Sequence, residues 1–183
     1  MANNKPLKFI LISGHAGAGK DTFADILVET LTKKCYTVLK THYADLLKYV
    51  CEKYLGWDGK KDKYGRTILQ TVGTDIVRRK NPNFWVDFIL TCVAPLNMWD
   101  FIIIPDTRFP NEISRVKEEG YDVMHINIIR PNNNILTFEQ SNHASETSLN
   151  DVSPDYTLVN DGSIADLKQH IANIFDCWTL KTF

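Results

Sequence analysis

The sequence predicts an α/β protein, a three-layer sandwich in which helices cover both faces of a parallel sheet. Three observations predict it. Apolar-rich runs of strand length occupy residues 7–12, 100–104 and 121–129, bounded by Pro, Gly or Asp, and near-continuous apolarity marks strands covered on both faces. Segments with helical apolar spacing lie between them, and such alternation implies right-handed crossovers. The first run also leads directly into a glycine-rich turn that opens a helix.

That turn organises the chain. Gly14, His15, Ala16, Gly17, Ala18, Gly19 and Lys20 match the phosphate-binding pattern G-x-x-x-x-G-K. Glycines let backbone N–H groups converge on phosphate oxygens, and the following helix presents a positive dipole end to an anion. Lys20 is placed to reach the β- and γ-phosphates. A ligand-free turn is the alternative, but a strand before and a helix after are the context a nucleoside triphosphate site requires. The residue after Lys20 is Asp21, then Thr22, where a Ser or Thr hydroxyl usually meets magnesium. Asp21 is expected to serve the metal; its alternative is to complement the helix dipole.

The remaining elements follow in order. Residues 36–43 are β-rich and predict a second strand, 44–55 carry Leu46, Leu47, Val50, Tyr54 and Leu55 at helical spacing, and 56–65 read as a polar surface loop. Residues 66–80 predict a helix broken at Asn81-Pro82, and Phe84 starts another that runs to 93. After the strand 100–104 come a short helix over 111–119, the strand 121–129, and an Asn-rich loop over 131–143. A last short strand spans 156–159, and Ile164, Leu167, Ile171, Ile174, Phe175 and Trp178 trace one face of a final helix.

Composition narrows the function classes. The 183 residues form one domain with a net charge of −1, which provides no general attraction to nucleic acid or to an anionic membrane. All six arginines lie between Arg66 and Arg130, suggesting a focused anion site. Cys35, Cys51, Cys92 and Cys177 form no C-x-x-C pair and read as reduced, mostly buried small hydrophobes. The start of the chain has too short an apolar run for a signal peptide, and no stretch is long enough to span a membrane. A cytoplasmic protein is expected.

Four constellations bear on chemistry. Asp106-Thr107-Arg108-Phe109-Pro110-Asn111-Glu112 follows the strand 100–104, where an acid at the strand end holds magnesium (Mg2+) and an arginine can reach a transferred phosphoryl group. A capped turn is the plainer reading. Arg66, Gln70 and Arg78, with Phe84-Trp85 downstream, suit bidentate phosphate capture and base stacking, although spacing alone does not put them on one face. His143-Ala144-Ser145-Glu146-Thr147 reads as a helix start capped by Ser145 rather than a metal site. Asn160-Asp161-Gly162-Ser163 reads as a turn before the last helix.

Taken in order, GHAGAGKDT, ADLLK at 44–48, LQTVGTDIVR at 69–78 with FW at 84–85, DTRFPNE, HASET and NDGS resemble the deoxynucleoside monophosphate kinases of bacteriophage and their bacterial relatives, over about residues 8–170. The resemblance implies a nucleoside-monophosphate-kinase fold with a five-stranded parallel sheet. It also implies a substrate-binding helical region at about 44–98 and a small lid at about 130–147. It implies ATP and magnesium as cofactors and a small-molecule deoxynucleoside monophosphate as partner, with a homodimer admissible. By resemblance, Gly14 to Thr22 would bind ATP phosphates, and Asn160 and Gly162 would lie near the adenine. Lys48, Arg66, Gln70, Arg78 and Trp85 would line the monophosphate site. Asp106 and Arg108 would serve the metal and the transferred group, and Arg130 would stand at the base of the lid. Related lids often carry several arginines, whereas Arg130 is the only one after Arg115 here. The alternatives are another small-molecule kinase of this fold, such as dephospho-coenzyme A kinase, or a nucleotide-binding sensor without turnover.

Overall fold

A computed structural model of the chain describes residues 6–131 and 143–179, with side chains described through Phe175. Five parallel strands form one sheet: β1 (Lys8–Ser13), β2 (Val38–Lys40), β3 (Phe101–Ile104), β4 (Asp122–Ile129) and β5 (Tyr156–Val159), in the order β2-β3-β1-β4-β5. The first strand is therefore central. The chain winds outward from it on one side, then returns and winds out on the other, so a topological switch lies at the carboxyl end of β1. Register brings Leu11 opposite Ile104 and Ser13 opposite Asn127. The turns that leave β1 and β3 consequently emerge side by side.

Strand alternation sends the core to both faces. Ile10, Ile12, Phe101 and Ile103 pack with α1 (Lys20–Lys33) and α7 (Ile164–Thr179), through Phe23, Leu27, Ile171 and Phe175. Phe9, Leu11, Ile102 and Ile104 pack on the opposite face with α2 (Ala44–Leu55), α4 (Phe84–Phe88) and α5 (Pro110–Glu118), through Leu47, Cys51, Val86 and Val116. Each such side chain, taken fully from water, contributes about 1.5–3 kcal/mol. This is why the sequence runs are apolar without alternation. The helix α3 (Lys63–Gln70) and the short α6 (Ala144–Thr147) complete the described α-helices, and π-type or 3₁₀ turns continue from α3 and α4 over Thr71–Arg78, Ile89–Val93 and Ala94–Leu96.

Several expectations are corrected. The second strand covers only Val38–Lys40, because its flanks are held by other partners. Thr37 donates its N–H and hydroxyl to Asp100 Oδ2 at 2.7 and 2.9 Å, and Tyr43 N donates to Asp106. The expected surface loop at 56–65 ends at Asp62, whose Oδ1 accepts Gly65 N at 2.8 Å and so caps α3. Within that loop Trp57 is buried and donates Nε1–H to the Lys60 carbonyl at 2.9 Å. Past Gln70 the helix continues with wider, π-type turns from Thr71 to Arg78. Widened turns re-aim side chains relative to a regular helix, which the 3.6-residue spacing does not anticipate. Cys35 and Cys92 are exposed rather than buried. The expectations for most of the loop 131–143, and for the Trp178 and Cys177 side chains, lie outside the described residues.

Candidate active site

The phosphate-binding turn needs its glycines for stated reasons. Gly14, Gly17 and Gly19 have φ of 135°, 78° and 94°, a region L-residues with a side chain rarely adopt. A Cβ on Gly14 would also stand 2.2 Å from the Ile128 carbonyl oxygen. Asn160, at the end of β5, donates Nδ2–H to the Ala18 carbonyl at 2.8 Å, so it braces the turn from below. Lys20 opens α1 and folds its ammonium back onto the carbonyls of Gly14 and His15 at 2.6 and 2.9 Å. Burial and the neighbouring Arg108 charge push its pKa down to about 8, against the pull of Glu146, Asp106 and Asp21.

Glu146 occupies the mouth of this turn. Its carboxylate accepts Ala16 N–H at 3.2 Å and pairs with Arg108 Nη1, and His15 Nδ1 lies 3.7 Å away. Arg108 Nη1 also donates to the Ser145 carbonyl at 2.9 Å. The Glu146 side chain is only 5% exposed. A carboxylate thus takes a backbone N–H of the kind a phosphate oxygen would take. Its helix α6 is capped by His143, whose Nδ1 accepts Ser145 N, and not by Ser145.

The turn opens onto a cavity of about 330 Å³, within the size range of small-ligand sites. Ala16, Gly17, Lys20 and Asp21 line it together with Lys48, Arg66, Gln70, Arg78 and Trp85. Asp106 and Arg108 line it as well, Arg108 pairing with Glu146 at the turn and sharing Glu112 with Arg78. Six cations (Lys20, Lys48, Lys61, Arg66, Arg78, Arg108) face four carboxylates (Asp21, Asp106, Glu112, Glu146) there, an excess suited to phosphate groups. Trp85 is fixed by donation from Nε1 to the Gly73 carbonyl at 3.1 Å. Arg66 Nε donates to the Lys61 carbonyl at 3.0 Å.

The two expected metal acids have protein partners. Asp106 accepts the N–H groups of Tyr43 and Ala44 at 2.9 and 3.0 Å; it therefore holds the start of α2, whereas the capped-turn reading pointed to the helix that follows it. Asp21, largely exposed, meets His42 Nε2 at 2.9 Å and Lys40 Nζ at 3.2 Å. Burial opposes ionisation of Asp21, but hydrogen bonds from His42 and Lys40 outweigh it and hold its pKa below the usual value. Asp45 Oδ2 accepts His42 N–H at 2.9 Å, and Asp45 Oδ1 accepts from Lys48 at 2.9 Å.

Other expected residues fall elsewhere. Arg130 is exposed and does not line the cavity. Thr22 is exposed on α1, and Gly162 lies in the turn before α7, neither of them on the cavity wall. Of the expected lid, 132–142 lie outside the described residues. Among the described residues no group of three or more His, Cys, Asp or Glu is arranged to hold a metal by itself. Sequence reasoning missed Glu112, His42 and the phosphate-loop contact of Glu146. Only Glu112 carried a readable signal, as the third residue of a helix that starts with Pro.

Comparison with known proteins places this geometry. A family model described as deoxynucleotide monophosphate kinase matches residues 57–171. The chain belongs to the deoxynucleotide monophosphate kinase family. The matched segment excludes the phosphate-binding turn, so turn and family signal are separate observations that meet in one cavity. The deoxynucleotide monophosphate kinase of Enterobacteria phage T4 is 33% identical over 113 residues, which cover 59% of this chain and 44% of the phage protein. The chain thus aligns with less than half the length of that relative. Among solved structures, Mycobacterium tuberculosis APS kinase CysC, in complex with AMPPNP and APS, aligns with a TM-score of 0.54 at 15% identity, over 94% of this chain and 99% of that one. Thymidylate kinase from Ehrlichia chaffeensis aligns with a TM-score of 0.53 at 13% identity, over 93% and 99%. At these identities the likeness shows the fold alone, an α/β sandwich around a parallel sheet. No described helix is long and apolar enough to cross a membrane.

Proposed function

We propose that this chain transfers the γ-phosphoryl group of ATP to a deoxynucleoside 5′-monophosphate. The observation that carries the reading is the shared cavity: residues of the phosphate-binding turn line it together with Arg66 and Arg78 from the segment that defines the family. ATP phosphates would replace Glu146 at the turn, with Lys20 turning from its carbonyl partners to the β- and γ-phosphates. The monophosphate would lie against Arg66, Gln70, Arg78 and Trp85, with Lys48 beside it. Arg108 would meet the group in transfer.

Phosphoryl transfer through a loose transition state asks for positioning and charge neutralisation. The acceptor phosphate is itself the nucleophile and is ionised at neutral pH, so no general base is assigned. Magnesium fits the donor set. Each Asp106 oxygen accepts one N–H and retains lone-pair capacity, and this metal is commonly held by one or two carboxylates, phosphates and waters. Asp106, with Asp21 as second acid, would hold it, and when bound it would neutralise charge on the phosphates. A coupled ADP-release assay across the four deoxy- and four ribonucleoside monophosphates tests the proposal. Stimulation by at least one deoxynucleotide is expected; hydrolysis that no monophosphate accelerates would overturn it.

A further inference from the structure

The reading above leaves Glu112 without a role, although it is the least exposed carboxylate on the cavity wall, at 1%. As the third residue of α5 it accepts Phe109 N–H through Oε2 at 3.0 Å, the ordinary duty of a glutamate there. That duty needs neither burial nor a second segment. Here Oε2 also accepts Arg108 N–H at 2.6 Å, and Oε1 accepts Arg78 Nη2–H at 2.6 Å from 34 residues earlier in the chain. One carboxylate therefore ties the turn that carries Arg108 to the helix that carries Arg78.

Arg78 is correspondingly pinned. Nη1 donates to the Pro82 carbonyl at 3.0 Å, and the guanidinium carbon lies 3.9 Å from the centre of the Phe109 ring. Phe109 is the residue whose N–H Glu112 also holds, so floor and side clamp belong to one unit. Of the five guanidinium N–H groups, Nε–H is closed to solvent without a partner among the described residues. One N–H on each terminal nitrogen is left to meet a phosphate. Because Arg78 and Glu112 together carry no net charge, what this pair offers an anion is donor geometry.

We infer that Glu112 is a positioning residue for the acceptor phosphate, acting through Arg78 and holding it in fixed relation to the Arg108 turn. The inference rests on the kinase reading of the cavity. It opposes a plain electrostatic expectation, under which removing a carboxylate beside a dianion site would strengthen acceptor binding.

The test compares wild type, Glu112→Gln, Glu112→Asp, Arg78→Ala and the double variant Glu112→Gln/Arg78→Ala. KM is read for ATP and for the monophosphate, with calorimetric Kd for the monophosphate alone. Glu112→Gln should raise monophosphate KM and Kd roughly ten-fold, the scale of a lost bidentate contact, while ATP KM stays within about two-fold. The double variant should match Arg78→Ala alone, since effects that act through one residue do not add. If Glu112→Gln does not fold, Glu112→Asp, which keeps the charge but withdraws the carboxylate by one methylene, carries the same expectation. An unchanged or lowered monophosphate KM in the folded variant, or additive effects in the double variant, would overturn the inference. Wild-type turnover is measured first: its absence would overturn the kinase reading and this inference with it, whereas an active wild type isolates failure to Glu112.

Discussion

Replacing Asp106 separates two roles that the geometry superimposes. Its carboxylate accepts the N–H groups of Tyr43 and Ala44, the first donors of α2, at 2.9 and 3.0 Å. Tyr43 is 4% exposed, so water does not readily replace the lost partner there. Loss of a side-chain cap costs about 0.5–2 kcal/mol, and an unsatisfied buried donor about 1–3 kcal/mol. For Asp106→Ala these combine to about 2 kcal/mol, which in a domain of this size lowers Tm by about 4–8 °C. Asp106→Asn keeps one acceptor oxygen and should fall about midway. Thermal melts by circular dichroism, with a urea midpoint at unchanged slope, read the effect without any ligand. The same variants, assayed at rising magnesium, should need more metal for half-maximal rate if Asp106 also serves it. An Asp106→Ala variant that melts with the wild type would refute the argument that this carboxylate holds α2.

Three further outcomes are expected. Arg66→Ala should raise monophosphate KM about ten-fold or more, the equivalent of about 1.5–3 kcal/mol for a charge-assisted contact, with ATP KM nearly unchanged; equal KM values in variant and wild type would remove Arg66 from the acceptor site. Glu146→Gln should tighten ATP binding several-fold in calorimetry, because the internal carboxylate on Ala16 N–H and Arg108 must leave before phosphates enter, and displacing it costs about 1 kcal/mol. Weaker ATP binding in that variant would instead make Glu146 a support for Arg108. His125 is buried, with Nε2 2.8 Å from Ser13 Oγ and Nδ1 without a partner among the described residues. Burial, helped by Lys117 and opposed by Asp155, lowers its pKa below the ordinary 6.5. The unfolded chain therefore binds this proton more readily. The stability is fully present above about pH 6.5 and lost as pH falls through the lower folded value. Melting temperature should drop across that window in wild type and drop less in His125→Gln; parallel curves would place the acid sensitivity elsewhere.

Fold class, strand order of appearance and the phosphate-binding turn were legible in the sequence because each depends on local pattern. Apolar runs without alternation report burial on both faces wherever they occur, and Gly14, Gly17 and Gly19 report backbone angles that only local sterics govern. The family resemblance likewise rested on contiguous blocks, and the family match bears it out. Boundaries set by distant partners were not legible. Past Thr41 the second strand does not continue, because the N–H of His42 goes to Asp45 and those of Tyr43 and Ala44 go to Asp106, on another strand end. Trp57 is buried although the residues around it are polar, since α2 and α3 close over it.

The site divides in the same way. Lys20, Asp106 and Arg108 could be named from motif and position, Arg66, Gln70 and Arg78 through the family resemblance, and all six reach one cavity. Which of them are already committed could not. Asp106 holds a helix start, Arg78 is clamped by a carboxylate 34 residues away, and Asp21 pairs with His42 and Lys40 across 21 and 19 positions. Periodicity carries no trace of such pairs, because their energy depends on a few ångströms of separation that the chain acquires only when β1 and β3 lie side by side. The sequence by itself determined a sandwich with an anion-binding turn at its switch point. Tertiary structure alone decided which charges neutralise one another there and which N–H groups remain to meet a phosphate.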